Sequence, residues 1–260
     1  MRIALVTLSE EGTVLLGRLQ AALPEADAFV HRSADPSPGI EPFDSVVELT
    51  GRIFGRYEGI VYVLPCGVAV RAVAPHLESK KTDPAVVVVD VGGRWSVSLL
   101  SGHEGGANRL AVRVANLLDA EPVVSTTTEA RKTLIAGIGC RRGVAAETIL
   151  EAIREATQKA GVGPDQIRLI ASADIKSEEQ GLIRAAERLG CPLRLIPSEE
   201  IRSTCRSFEH SQFVQEKVGL PAVCEPAALL AGRRTRLVLP KTKIGPVTVA
   251  LARESCSWSG

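Results

Sequence analysis

"AVVVVDVGGRWSVSLLSGHEGGANRLAVRVANLL", residues 85 to 118, decides the fold. Its first half is apolar and rich in β-branched residues, with Gly92-Gly93 supplying a turn between two strands. The strand pattern stops at Ser101-Gly102. From Ala107 the spacing becomes helical, with Leu110, Val114, Leu117 and Leu118 on one face. A hairpin therefore runs into a helix through a corner that holds His103, Glu104 and the glycines at 102, 105 and 106.

Outward from this stretch, strand-like and helix-like runs alternate, which predicts α/β architecture with mostly parallel sheets. "RIALVTL" reads as a strand and "EEGTVLLGRLQAAL" as a helix. A loop from Asp35 to Pro42 leads to a helix toward Arg56, the strand "GIVYVLP", and a short helix "VAVRAVAPHL" closed by Pro75. "PVVST" is a further strand, and the polar run "TTTEARKT", residues 126–133, is the best linker. Beyond it come the strand "TLIAGIG", a helix over 144–160, the strand "IRLIASAD", the helix "EEQGLIRAAERL" and the strand "PLRLIP". Helices near 211–218 and 225–231 and a closing hairpin, "TRLVLP…GPVTVALA", complete the chain. The expectation is two α/β domains, 1–132 and 133–260, each with mostly parallel strands and one β-hairpin.

The 260 residues carry a net charge of +1, so no broad basic field favours nucleic acid or a membrane surface. No apolar run is long enough to span a membrane, and the N-terminus meets Glu10 and Glu11 too early for a signal peptide. Cysteines at 66, 140, 191, 205, 224 and 256 show no CxxC spacing and read as free thiols in a reducing cytoplasm. His31, His76, His103 and His210 show no metal-ligand spacing, so no protein-bound metal is expected.

The corner is not HExxH, because Ala107 stands where the second histidine would be. GxSxG and GxxxxGK[ST] are absent from the chain. What remains is physical. Glycines let a ligand approach the backbone, and the N–H groups of Gly105 to Asn108 open a helix without intrahelical partners. Such groups suit an anion or a developing oxyanion. Histidine as a residue type serves as acid or base near neutral pH, which makes His103 the candidate, and Ser101 and Asn108 add hydrogen-bonding groups. The competing reading is that Ser101 and His103 cap the helix and the glycines permit the turn. A separate pattern, Gly137-x-Gly139-x-x-x-Gly143, is a loose dinucleotide fingerprint with its third glycine one residue late.

"GVAVRAVAPHL", a lysine before "TDPAV", and "LLSGHxGGANxLA" together resemble the signature region of the cobalt-precorrin-5A hydrolases, the CbiG family of anaerobic cobalamin biosynthesis. The resemblance resumes at "GIGCRRGVAAETI" and continues through "SADIKSEEQGL", "VGLPAVCEPAALLA" and "LVLPKTK", so it covers most of the chain. Family members carry a further segment between the "TTT" strand and "GIGC", which this chain lacks. Position 104 is usually apolar in the family, so the resemblance gives the main role to His103 and not to Glu104.

The resemblance implies hydrolysis of a δ-lactone on a cobalt-containing macrocycle, with release of a two-carbon fragment as acetaldehyde. Cobalt then arrives with the substrate, no further cofactor is needed, and other cobalamin-pathway enzymes are the expected partners. Lactone opening needs a base for water, oxyanion donors and an acid for the leaving oxygen. His103 would be the base, the helix-opening N–H groups the donors, and Ser101 a less favoured nucleophile. The substrate's carboxylates call for cations. Arg71, Lys80, Lys81, Arg141, Arg142 and Lys176 lie within family-like motifs, and Arg141 is the first choice because a guanidinium can fork onto a carboxylate. The alternative is a non-catalytic carrier that binds tetrapyrrole intermediates of the same pathway.

Overall fold

The computed structural model describes residues 1–35, 40–209 and 219–255. The chain forms two compact units, Met1–Thr126 and Thr127–Gly260. The expected helix near 211–218 lies outside the described residues.

The first unit contains β1 (Ile3–Thr7), α1 (Glu10–Ala22), β2 (Asp27–His31), β3 (Glu41–Phe43), α2 (Val46–Ile53) and β4 (Gly59–Val63). It continues with α3 (Cys66–Val73), β5 (Ala85–Val89), β6 (Trp95–Leu100), α4 (Ala107–Leu118) and β7 (Glu121–Val123). Its seven strands form one sheet in the order β3-β2-β1-β4-β5-β6-β7. Strands β1 to β5 are mutually parallel, which is why β1, β4 and β5 are uninterrupted apolar runs buried on both faces. Alternation sorts them. Ile3 and Leu5 meet α1 and α4, whereas Ala4 and Val6 meet α2 and α3.

The predicted hairpin forms, and it is the one reversal in this sheet. Strand β6 runs antiparallel to β5, with Val86 opposite Leu100. The end of β6 therefore lies beside the beginning of β5, and the corner that follows sits at the amino-terminal edge of the parallel strands. Strands β2 and β3 were not expected from the sequence. Each is short, β2 starts at Asp27 and ends at His31, and β3 contains Pro42.

The second unit holds α5 (Thr127–Ala130), β8 (Leu134–Cys140), α6 (Ala146–Lys159), β9 (Ile167–Ala173) and α7 (Gln180–Leu189). Next come β10 (Leu193–Ile196), α8 (Ser198–Ser203), α9 (Cys224–Leu230), β11 (Thr235–Ile244) and β12 (Val247–Glu254). The sheet order is β10-β9-β8-β12-β11, with β8, β9 and β10 parallel and β11–β12 an antiparallel hairpin. Helices α6 and α7 cover one face, and α8 and α9 the other. Two α/β units with mostly parallel sheets and a hairpin in each are what the sequence predicts.

The glycines of "GIG" have a packing explanation. A Cβ on Gly137 would lie 1.9 Å from the Cys224 carbonyl oxygen, because the start of α9 rests directly on the strand. One on Gly139 would meet the Thr248 hydroxyl at 2.5 Å. These glycines make room for the protein itself, which removes the reason to read a dinucleotide loop. Gly137→Ala should overpack this contact and cost about 1–3 kcal/mol. A urea midpoint equal to wild type would show that α9 moves aside freely.

Candidate functional site

The corner after β6 is held by its own backbone. Ser101 is a non-glycine residue at φ 57°, a left-handed conformation that costs roughly 1–2 kcal/mol. Its carbonyl accepts the Ala107 N–H at 3.2 Å, and the Gly102 carbonyl accepts the Asn108 N–H at 3.0 Å. Gly106, at φ 85°, precedes α4 and gives it no side-chain cap. Neither Ser101 nor His103 caps the helix, so that competing explanation of the two side chains falls away.

Two of the anticipated anion donors, the Ala107 and Asn108 N–H groups, are thereby committed. The N–H groups of Gly105, Gly106 and Arg109 have no hydrogen bond among the described residues. The glycines are also packed from within. A Cβ on Gly105 would meet the Ser101 Cβ at 2.4 Å, and one on Gly102 would meet Asn108 Oδ1 at 2.8 Å. Ser101 is buried, and its hydroxyl has no partner among the described residues.

Asn108 is buried and fully used. Its Oδ1 accepts the Ser98 hydroxyl at 2.8 Å, and its Nδ2 donates to Thr126 Oγ1 at 2.9 Å. It ties β6, α4 and the end of the unit together. His103 is exposed and makes no hydrogen bond among the described residues. Glu104 pairs with Lys80 at 2.9 Å, and the Lys80 hydrogen bond chiefly holds its carboxyl below the usual range. Lys80 rides on a turn fixed by Asp83, whose buried carboxylate accepts the N–H groups of Glu78 and Ser79.

The other predicted cations are scattered. Lys81 is exposed on the same turn as Lys80. The Arg71 guanidinium reaches back to the Gly67 carbonyl at 3.0 Å, near the start of α3, at the carboxyl-end side of the sheet and away from the corner. Arg141 is exposed, with its N–H bonded to the Pro246 carbonyl at 3.2 Å. Arg142 and Lys176 do come together. They line a cleft of about 790 Å³ in the second unit, at the carboxyl ends of β8 and β9.

Glu179 organises that cleft. One oxygen accepts the Gly143 N–H at 2.9 Å, and the other accepts Lys176 Nζ at 3.1 Å. Burial works to raise its carboxyl, but Gly143, Lys176 and Arg142 outweigh that and hold it below the ordinary value. Cys140 beside it is pushed up, chiefly by burial. Sequence reasoning missed Glu179, Arg184 and Arg188. The two arginines are four apart on α7, a spacing that puts both on one face.

Among the described residues, no helix is long and apolar enough to cross a membrane, and no cluster of three or more His, Cys, Asp or Glu is placed to hold a metal ion. This is a two-unit α/β protein with an exposed histidine at a helix-opening corner and an arginine-lined cleft at strand ends. Residues 48–129 match the family model described as Cobalamin synthesis G N-terminal, and residues 134–252 match Cobalamin synthesis G C-terminus. The chain belongs to the CbiG family.

It is 24% identical to the cobalt-precorrin-5A hydrolase of Priestia megaterium, across 96% of this chain and 94% of that protein. The hydrolase of that name from Salmonella typhimurium is 27% identical, across 88% of this chain and 91% of its own length. Protein CobE of a Sinorhizobium species is 34% identical across 48% of this chain and 83% of its own. The Priestia alignment runs over 352 residues against the 260 of this chain, so that relative carries residues absent here.

Two measurements follow from these contacts. Asn108→Ala should cost about 1–3 kcal/mol, because the Ser98 and Thr126 hydroxyls lose a buried partner. Asn108→Asp, which can accept from both, should cost less, and equal urea midpoints for the two variants would contradict the assigned role. The Glu179 carboxyl, depressed in the folded state, stabilises the protein above the unfolded value and loses that contribution as pH falls through the folded value. Glu179→Gln should lower stability at neutral pH and flatten the acid limb below the ordinary value of 4.5. An unaltered acid limb would remove Glu179 from that role.

Proposed function

We propose that this chain is a cobalt-precorrin-5A hydrolase of anaerobic cobalamin biosynthesis. It would open the substrate's δ-lactone, release acetaldehyde and yield cobalt-precorrin-5B. The observation that carries the reading is the near full-length match to two relatives bearing that name. The substrate brings its own cobalt, and the work would take place in the cytoplasm beside other enzymes of the pathway.

The corner supplies what lactone opening needs. His103, exposed and committed to no structural bond, takes a proton from water as the water adds to the lactone carbonyl. The oxyanion that forms is received by the N–H groups of Gly105, Gly106 and Arg109. The imidazolium then returns the proton to the leaving ring oxygen, leaving a carboxylic acid and an alcohol; acetaldehyde leaves only when a carbon–carbon bond of this opened product then breaks, a step to which no residue is assigned. Ser101 is a poor nucleophile here, because its hydroxyl is buried against Gly105 with no base beside it. Asn108 positions the corner and exchanges no proton.

One feature favours the carrier reading instead. His103 has no hydrogen-bonded partner to orient it, unlike the base of a triad. A carrier would bind cobalt-precorrins stoichiometrically and release no acetaldehyde. Incubation with cobalt-precorrin-5A, followed for acetaldehyde, separates the two. His103→Ala should lower release by roughly 10²–10⁴-fold, and Glu104→Gln should do far less because Glu104 serves Lys80. Greater damage from Glu104→Gln would overturn the assignment of the base.

A further inference from the structure

We propose that the cleft of the second unit is a polycarboxylate subsite, in which the guanidinium groups of Arg142 and Arg184 take carboxylates on the rim of a cyclic tetrapyrrole while Ile175 meets its apolar face. Glu179 acts as a positioning residue for Arg142. The ligand's identity rests on the hydrolase reading, but the site itself does not.

Position is the first argument. The cleft opens where β8 and β9 end, the edge at which open parallel sheets take ligands, and its volume of about 790 Å³ lies within the range of small-molecule sites. Charge pairing is the second. Four cations and three carboxylates line it: Lys176 pairs with Glu179 and Arg188 with Glu147, which leaves Arg142 and Arg184 against the single exposed carboxylate of Glu178. Arg142 and Arg184 make no hydrogen bond or ion pair among the described residues, and both are exposed. Arg142 feels the charge of Glu179 and Arg184 that of Glu147, but neither guanidinium is engaged in a direct contact, and two such groups in one concave site suit carboxylates, which they can grip in a forked, bidentate manner.

The third argument is rigidity. Glu179 ties the Gly143 turn, next to Arg142, to the loop that carries Lys176. A Cβ on Gly181 would lie 1.8 Å from the Val144 carbonyl oxygen, so the first turn of α7 is seated directly on the segment after Gly143. The walls that hold Arg142 and Arg184 are thus fixed to one another before any ligand arrives. Ile175 supplies the fourth argument. It is 43% exposed at the cleft, an apolar side chain of no use to a small inorganic anion but suited to the face of a macrocycle with an acidic rim.

The test uses the full chain and uroporphyrin, a polycarboxylated porphyrin with no lactone, followed by porphyrin fluorescence anisotropy at low and moderate salt. Wild type should bind, and more weakly as salt rises. Arg142→Gln and Arg184→Gln should each weaken binding roughly tenfold or more, while Arg56→Gln, an exposed change in the first unit, should not. Ile175→Ser should weaken binding without changing its salt dependence, and Glu179→Gln should lose affinity that Glu179→Asp partly restores.

No binding by wild type, or equal behaviour of all three arginine variants, overturns the subsite. Uroporphyrin binding through Arg142 and Arg184 with no acetaldehyde from cobalt-precorrin-5A supports the subsite and defeats the hydrolase reading. Acetaldehyde release by wild type, with both arginine variants binding normally, defeats the subsite alone.

Discussion

The placement of the first unit's corner depends on the carboxylate of Asp90. It accepts the N–H groups of Arg94 at 2.8 Å and Trp95 at 2.7 Å, while the Asp90 carbonyl takes the Gly93 N–H. Burial opposes the charge, and the hydrogen bonds from Trp95 and Arg94 overcome it, leaving the carboxyl below its usual range. With Gly93 at φ 66°, this turn sends β6 back along β5. A parallel crossover here would have carried the histidine corner to the opposite edge of the sheet. The reversal instead puts it beside the starts of the parallel strands, where the turn fixed by Asp83 brings up Lys80.

The two units therefore present loops at opposite kinds of edge. Open parallel sheets take ligands at strand carboxyl ends because connections diverge there and helix N-termini point the same way. The second unit follows that rule at β8 and β9. The first unit reaches a comparable arrangement by another route, since α4 starts where an antiparallel strand stops. Its helix opening is closed in part by the carbonyls of Ser101 and Gly102, so fewer donors remain than an uncapped helix would offer. The strained backbone at Ser101, with Gly105 packed against it, is what allows those carbonyls to turn inward.

Much of this was readable from residue order. Apolar runs such as "AVVVV" announce strands covered on both faces, and the change of period at Ala107 marks a helix. Strands β2 and β3 escaped because their ends are polar or contain proline, so they exist through pairing with β1 and with each other and carry no periodic signal of their own. The short helix α8 escaped for a related reason: "SEEIRS" has one buried side chain, Ile201. At the sites, His103 stood out because a glycine-flanked histidine is conspicuous. Glu179 did not, since its bond to the Gly143 N–H spans 36 residues and leaves no trace in local pattern. Arg141 drew attention by following "GIGC" directly, yet it is the next residue, Arg142, that the chain carries into the cleft.

On the proposed reading, each unit by itself offers a different kind of chemistry. The corner has a proton acceptor and backbone donors, with Lys80 paired to Glu104 and Lys81 exposed on the same turn. The cleft has the guanidiniums of Arg142 and Arg184, and Glu179, the carboxylate that organises it, is held below the ordinary value. A histidine fixed by a carboxylate is oriented before substrate arrives, whereas His103, which makes no hydrogen bond among the described residues, would take its direction from the substrate.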